Sequence, residues 1–138
     1  MSTFRYGFET TLSNTSYDDA VRRVTDELGK EGFGILTQID VKATLEKKLG
    51  ADFRRYAILG ACNPPLAKQA LDAEGQIGLL LPCNVVVQEA GKGRVSVSFA
   101  DPRAMFTLVD NPAVAPVAEE ADRRLRRVMQ ALEAEGSS

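Results

Sequence analysis

Tyr56-Ala57-Ile58-Leu59-Gly60-Ala61-Cys62-Asn63-Pro64-Pro65-Leu66-Ala67 holds a strand, a helix cap and a helix start in one run. Tyr56, Ile58 and Gly60 alternate with Ala57, Leu59 and Ala61, the period of a β-strand. Asn63 is an N-cap residue type, and Pro64 and Pro65 suit the first helical turn, where a missing N–H costs nothing. A helix carrying Leu66, Ala67, Ala70 and Leu71 should follow and close at Gly75. Cys62 is thereby placed at a strand-to-helix junction.

Working outward, the second cysteine lies in Leu81-Pro82-Cys83-Asn84. Ile77–Leu81 and Cys83–Gln88 are expected to form one apolar strand bent or bulged at Pro82, because proline cannot donate to a central ladder. Ala90-Gly91-Lys92-Gly93 supplies a hairpin turn into a strand with Val95, Val97 and Phe99 on one side and Ser96 and Ser98 on the other. Upstream, Phe4, Tyr6, Phe8, Thr10 and Leu12 alternate as a first strand with an aromatic inner face. Ser16 and Asp19 open a helix through Ala20, Val21, Val24 and Leu28 that stops at Gly32. Phe33, Ile35, Thr37 and Ile39 alternate again, and Asp40 caps a short helix ending at Gly50. Downstream, Asp101-Pro102 starts a brief helical turn, and Asp110-Asn111-Pro112 forms a loop. Val117, Ala121, Leu125, Val128 and Leu132 share one face of a final amphipathic helix.

With 138 residues, 44% hydrophobic and 26% charged, the chain suits a single α+β domain over residues 1–135, with a disordered tail at 136–138. A net charge of -2 creates no field that attracts polyanions, so nucleic acid is not an expected partner. The longest apolar run, Ile77 to Val87, is interrupted and too short to span a bilayer. No basic stretch followed by an apolar run opens the chain, so a cytoplasmic location is expected, with no membrane attachment. Two cysteines in a domain of this size read as reduced thiols in a reducing compartment.

There is no histidine, which leaves Cys62 and Cys83 as the only soft nucleophiles or strong metal ligands near neutral pH. Cys62 is the candidate catalytic nucleophile, because unpaired N–H groups and the helix dipole would stabilise its thiolate. Cys83 is the candidate resolving partner, bridging through a disulfide or persulfide. The competing reading makes both of them small buried hydrophobes, Cys83 packed beside Val85 and Val87. Their spacing matches neither a Cys-x-x-Cys redox motif nor a zinc knuckle, and a zinc site in one chain would lack two good ligands. Asn63 and Asn84 are candidate ligand-binding amides, with capping and turn duty as the alternative. Asp18-Asp19 and Glu119-Glu120 are assigned to helix first turns, and the arginine-rich Arg123 to Arg127 run to a solvated face. Gly91-Lys92-Gly93 does not open a helix and so is no phosphate loop; no metal and no cofactor are expected.

The segments Leu59-Gly60-Ala61-Cys62-Asn63-Pro64-Pro65-Leu66-Ala67 and Gly78-Leu79-Leu80-Leu81-Pro82-Cys83-Asn84-Val85-Val86-Val87 resemble the core of the domain of unknown function family number 302. The resemblance extends through the Val95 to Pro102 strand and Asp-Pro turn, and back to the Phe4 to Leu12 strand. It implies an α+β domain of the TATA-box-binding-protein-like (TBP-like) type: an antiparallel curved sheet with helices on one face, often a homodimer. It implies no activity, and Cys62, Asn63, Pro64, Cys83 and Asn84 are the residues that match its motif. The combined expectation is a homodimeric domain binding a small molecule near the two Cys-Asn segments. The alternatives are a thiol redox enzyme or sulfur carrier, or a soft-metal module.

Overall fold

A computed structural model describes residues 2–136 of the chain. Six strands form one open, fully antiparallel sheet: β1 Ser2–Phe4, β2 Gly7–Ser13, β3 Gly34–Asp40, β4 Tyr56–Cys62, β5 Cys83–Gly91 and β6 Arg94–Ala100, in the order β1-β2-β6-β5-β4-β3. The helices are α1 Tyr17–Lys30, α2 Val41–Leu49, α3 Pro64–Ala73, α4 Pro102–Phe106 and α5 Ala115–Gly136. The α+β class with an antiparallel sheet is as expected. Among the described residues no helix is long and apolar enough to cross a membrane.

One face of the sheet is buried. Alternate residues Phe8 and Leu12, Ala57, Leu59 and Ala61, Val85 and Val87, and Val95, Val97 and Phe99 meet Ala20, Val24 and Leu28 of α1 and Leu125, Val128, Met129 and Leu132 of α5. The period of two on the strands and the 3.6-residue period on the helices thus converge on one core. Phe8 and Phe99 are register partners whose rings stack at 5.4 Å, and the Arg126 guanidinium lies 4.3 Å over the Phe8 ring. A second cluster lies beyond the sheet end, where Ala70, Ile77, Phe106, Val114, Val117 and Ala118 pack together.

The caps follow the residue types. Ser16 accepts from the Asp19 N–H, Asp40 from Ala43, Asn63 from Leu66, and Asp101 from Arg103 and Ala104. Gly50, at φ 65°, closes α2 in the left-handed conformation that glycine adopts without steric cost.

Several expectations need correction. The Phe4–Leu12 strand is broken: Phe4 pairs with Gly7 across a two-residue turn, which leaves Phe4 and Tyr6 exposed instead of on the inner face. Alternation alone does not distinguish a continuous strand from a hairpin that preserves parity on one arm. Gly75–Leu80 is a 3-10 helix and not the first half of a strand, and β5 begins only at Cys83, after a cis Leu81–Pro82 bond. A short apolar run carries no periodicity that separates the two states. Asn111 caps a further 3-10 turn, Pro112–Val114, within the expected loop. Since α5 begins at Ala115, Glu119 and Glu120 lie past its first turn. The helix includes Gly136 of the expected tail; residues 137 and 138 lie outside the described residues.

Leu125 is fully buried where α5 meets the sheet. Leu125→Ala should destabilise the protein by about 3 kcal/mol, the usual cost of a buried leucine cavity, measured by chemical denaturation.

Candidate functional site

Cys62 ends β4 and Cys83 begins β5, two neighbouring antiparallel strands in which Ala61 is the register partner of Cys83. The cysteines are therefore diagonal neighbours across the strand pair, with Cα atoms about 6 Å apart from the strand spacing and rise. Both are free thiols, both are half-buried, and both line one cleft of about 30 Å³, enough for roughly a single water. The rest of its wall is apolar apart from Asn63: Phe33, Leu66, Leu81, Phe106 and Val117 close it from several elements.

Burial in this wall pushes the Cys83 thiol up to about 11, and the neighbouring Cys62 adds to the shift. Cys83 is therefore a neutral thiol at physiological pH. Along β4 the Cys62 side chain alternates with that of Ala61, the register partner of Cys83, so the two cysteines are neighbours along the backbone while their side chains leave from opposite faces of the strand pair.

The activation expected at Cys62 lacks its donors. The first two positions of α3 are Pro64 and Pro65, which have no N–H, and the Leu66 N–H is already held by Asn63 Oδ1 at 3.3 Å. Pro64 and Pro65 favour the helix start and, for the same reason, deprive it of anion-binding groups.

The two asparagines separate. Asn63, only 6% exposed, caps α3 through Oδ1 and donates from Nδ2 to the Glu31 carbonyl at 3.3 Å. Both ends of its amide are occupied structurally. Asn84 is exposed and its register partner is Gly60, one position along from the Ala61–Cys83 pair, which puts it on the opposite face of the sheet. There it lines a separate, larger groove. The arginine run is likewise engaged: Arg124 Nη1 donates to the Glu31 carbonyl at 3.0 Å, Arg127 pairs with the Glu31 carboxylate at 2.7 Å, and Arg126 pairs with Asp122. Among the described residues no group of three or more histidine, cysteine, aspartate or glutamate side chains is placed to hold a metal ion.

Comparison with known proteins places the chain in a family. The sequence profile of the family described as Domain of unknown function DUF302 matches residues 8–132, nearly the whole folded chain. The chain belongs to the DUF302 family. Its fold is also similar to the crystal structure of an uncharacterized conserved DUF302 protein from Bacillus stearothermophilus, with a TM-score of 0.82 and 28% identity. That match covers 91% of this chain and 96% of the other. No curated protein matches. The DUF302 match spans both cysteine-bearing strands, α3 and the core face of α5.

Two outcomes check the site. In Cys62→Ser, alkylation of Cys83 by iodoacetamide should keep accelerating above pH 9 instead of levelling there, because only the thiolate reacts and burial, the larger cause of the shift, persists in the variant. Asn63→Ala should cost about 1–2 kcal/mol in a urea melt, through loss of the α3 cap and the tie to Glu31.

Proposed function

We propose that this protein works as a thiol–disulfide redox domain in which Cys62 and Cys83 exchange as a pair. The observation that supports the reading is that the two cysteines lie on adjacent strands and that both residues line one apolar cleft; closing a disulfide requires the end of β4 to turn Cys62 toward Cys83. An apolar wall favours species without charge. The dithiol and the disulfide are both neutral, so the cleft accommodates either; a standing thiolate or a metal bis-thiolate would place net negative charge there. This ranks the redox pair above the soft-metal module.

The exchange uses a low-molecular-weight disulfide as oxidant. Cys62 attacks one of its sulfurs as the thiolate, forming a mixed disulfide and releasing one thiolate, which takes up a proton. Cys83 loses its proton to solvent and attacks the Cys62 sulfur, closing the protein disulfide and releasing the second thiol. Two protein thiols are oxidised and one external disulfide is reduced to two thiols. Cys83 suits the second step because its raised pKa makes it a poor first attacker, and the same property makes it a slow leaving group in the reverse direction.

A small-molecule ligand at the same place would have to be compact or displace part of the wall, given a cleft of about 30 Å³. The homodimer implied by the family resemblance fits the exposed edge strand β3, where Leu36 and Ile39 face solvent. A cytoplasmic setting suits a pair of free thiols.

Oxidised glutathione and non-reducing mass spectrometry test the exchange. The wild-type chain should lose two mass units with no lasting adduct, whereas Cys83→Ser should accumulate one glutathione on Cys62. Stable adducts on both cysteines of the wild type would defeat the reading.

A further inference from the structure

The face of the sheet opposite Cys83 carries a groove of about 540 Å³, within the usual size range of small-molecule sites. Its walls and its single charge have a consistent chemistry. Glu9 is the only ionisable acid or base among the groove's lining side chains apart from the tyrosine phenols. One carboxylate oxygen, Oε2, accepts from the hydroxyls of Ser96 at 3.3 Å and Ser98 at 3.2 Å. These bonds orient the carboxylate on the sheet, where Glu9 and Ser98 are register partners, and among the described residues Oε1 has no hydrogen bond.

Aromatic residues line the same groove. Phe4, at the end of β1, and Tyr6, in the two-residue turn that follows, have rings that meet edge to face at 4.9 Å. They are 39% and 69% exposed, in a turn where apolar surface contributes nothing to the core. Gly7 allows this packing, since a Cβ there would stand 2.8 Å from the Phe4 ring. Tyr56 forms a further side, and Arg54 lies 5.6 Å over its ring while donating to Gln88 at 2.8 Å. A cation already stacks on Tyr56, which leaves the exposed Phe4–Tyr6 pair for a ligand; Gly7, the register partner of Phe4, is two residues from Glu9 on β2. Asn84, which is exposed, also lines the groove, and among the described residues its amide makes no hydrogen bond.

We propose that this groove binds a small organic ammonium ion, with Glu9 as counter-ion, Phe4 and Tyr6 as cation–π walls, and the Asn84 amide available to a polar group of the same ligand. Aromatic faces beside a lone carboxylate select a weakly hydrated cation over an anion or a neutral solute. The site is independent of the thiol cleft, since Asn84 and Cys83 point to opposite faces of β5.

Choline chloride and its neutral carbon isostere 3,3-dimethyl-1-butanol provide the probes, titrated at constant ionic strength and followed by amide chemical shifts of the full chain. Choline should produce saturable shifts at Glu9, Asn84 and Ser98 and bind about tenfold more tightly than the isostere. Glu9→Gln keeps an oxygen for the two serines and should remove that preference. Tyr6→Ala, in an exposed turn outside the core, should weaken choline binding severalfold. Equal binding of the two probes, shifts outside the groove only, or unchanged choline affinity in both variants would overturn the assignment.

Discussion

An open antiparallel sheet with one apolar face must be covered on that face and only there. Ala20, Val24 and Leu28 from α1, and Leu125, Val128 and Leu132 from α5, provide the cover. Both the cleft and the groove follow from this one-sidedness. Where the covering layer ends, beyond Ala61 and Cys83, the gap between the main core and the second cluster becomes the thiol cleft. On the uncovered side, side chains of the opposite parity, Glu9, Asn84 and Ser98, form the groove.

The edge of the cover is held by a polar node. The Glu31 carbonyl, just past α1, accepts from Asn63 at the start of α3 and from Arg124 of α5, while the Glu31 carboxylate pairs with Arg127. One residue thus ties three helices to the end of β4. Gly32 makes room for it: at φ 84°, a Cβ would stand 2.9 Å from the Asn63 amide. The node keeps α3 against the cleft and explains why Asn63 is unavailable to a ligand. It also accounts for arginines that a charge count assigns to solvent.

Much of the fold was legible in local chemistry. Ser16, Asp40, Asn63 and Asp101 all cap the helices their residue types indicated, because capping depends on groups within three residues. The strands at Tyr56–Cys62 and Arg94–Ala100 were likewise visible, as alternation there coincides with burial on one face. The legibility failed where pattern and environment part. Phe4 and Tyr6 share the parity of Phe8 but turn away at a hairpin, and Ile77 to Leu80 is apolar because it fills the second cluster, not because it is a strand. At the site, the strand-to-helix junction at Cys62 was readable. That Pro64 and Pro65 leave the helix without free donors was also readable, in the same residues that announced the helix.

By itself, the amino-acid sequence determined most element types, their caps, the core face of α5, the family, and the presence of two cysteines as the only thiols. Each of these depends on a residue's own chemistry or on periodicity over a few neighbours. The tertiary structure alone decided that Cys62 and Cys83 share a cleft, that Asn63 and Asn84 lie apart, and that a carboxylate and aromatic rings meet on the open face. Those are facts of strand register between residues distant in the chain, and register is set by how the whole apolar face is buried.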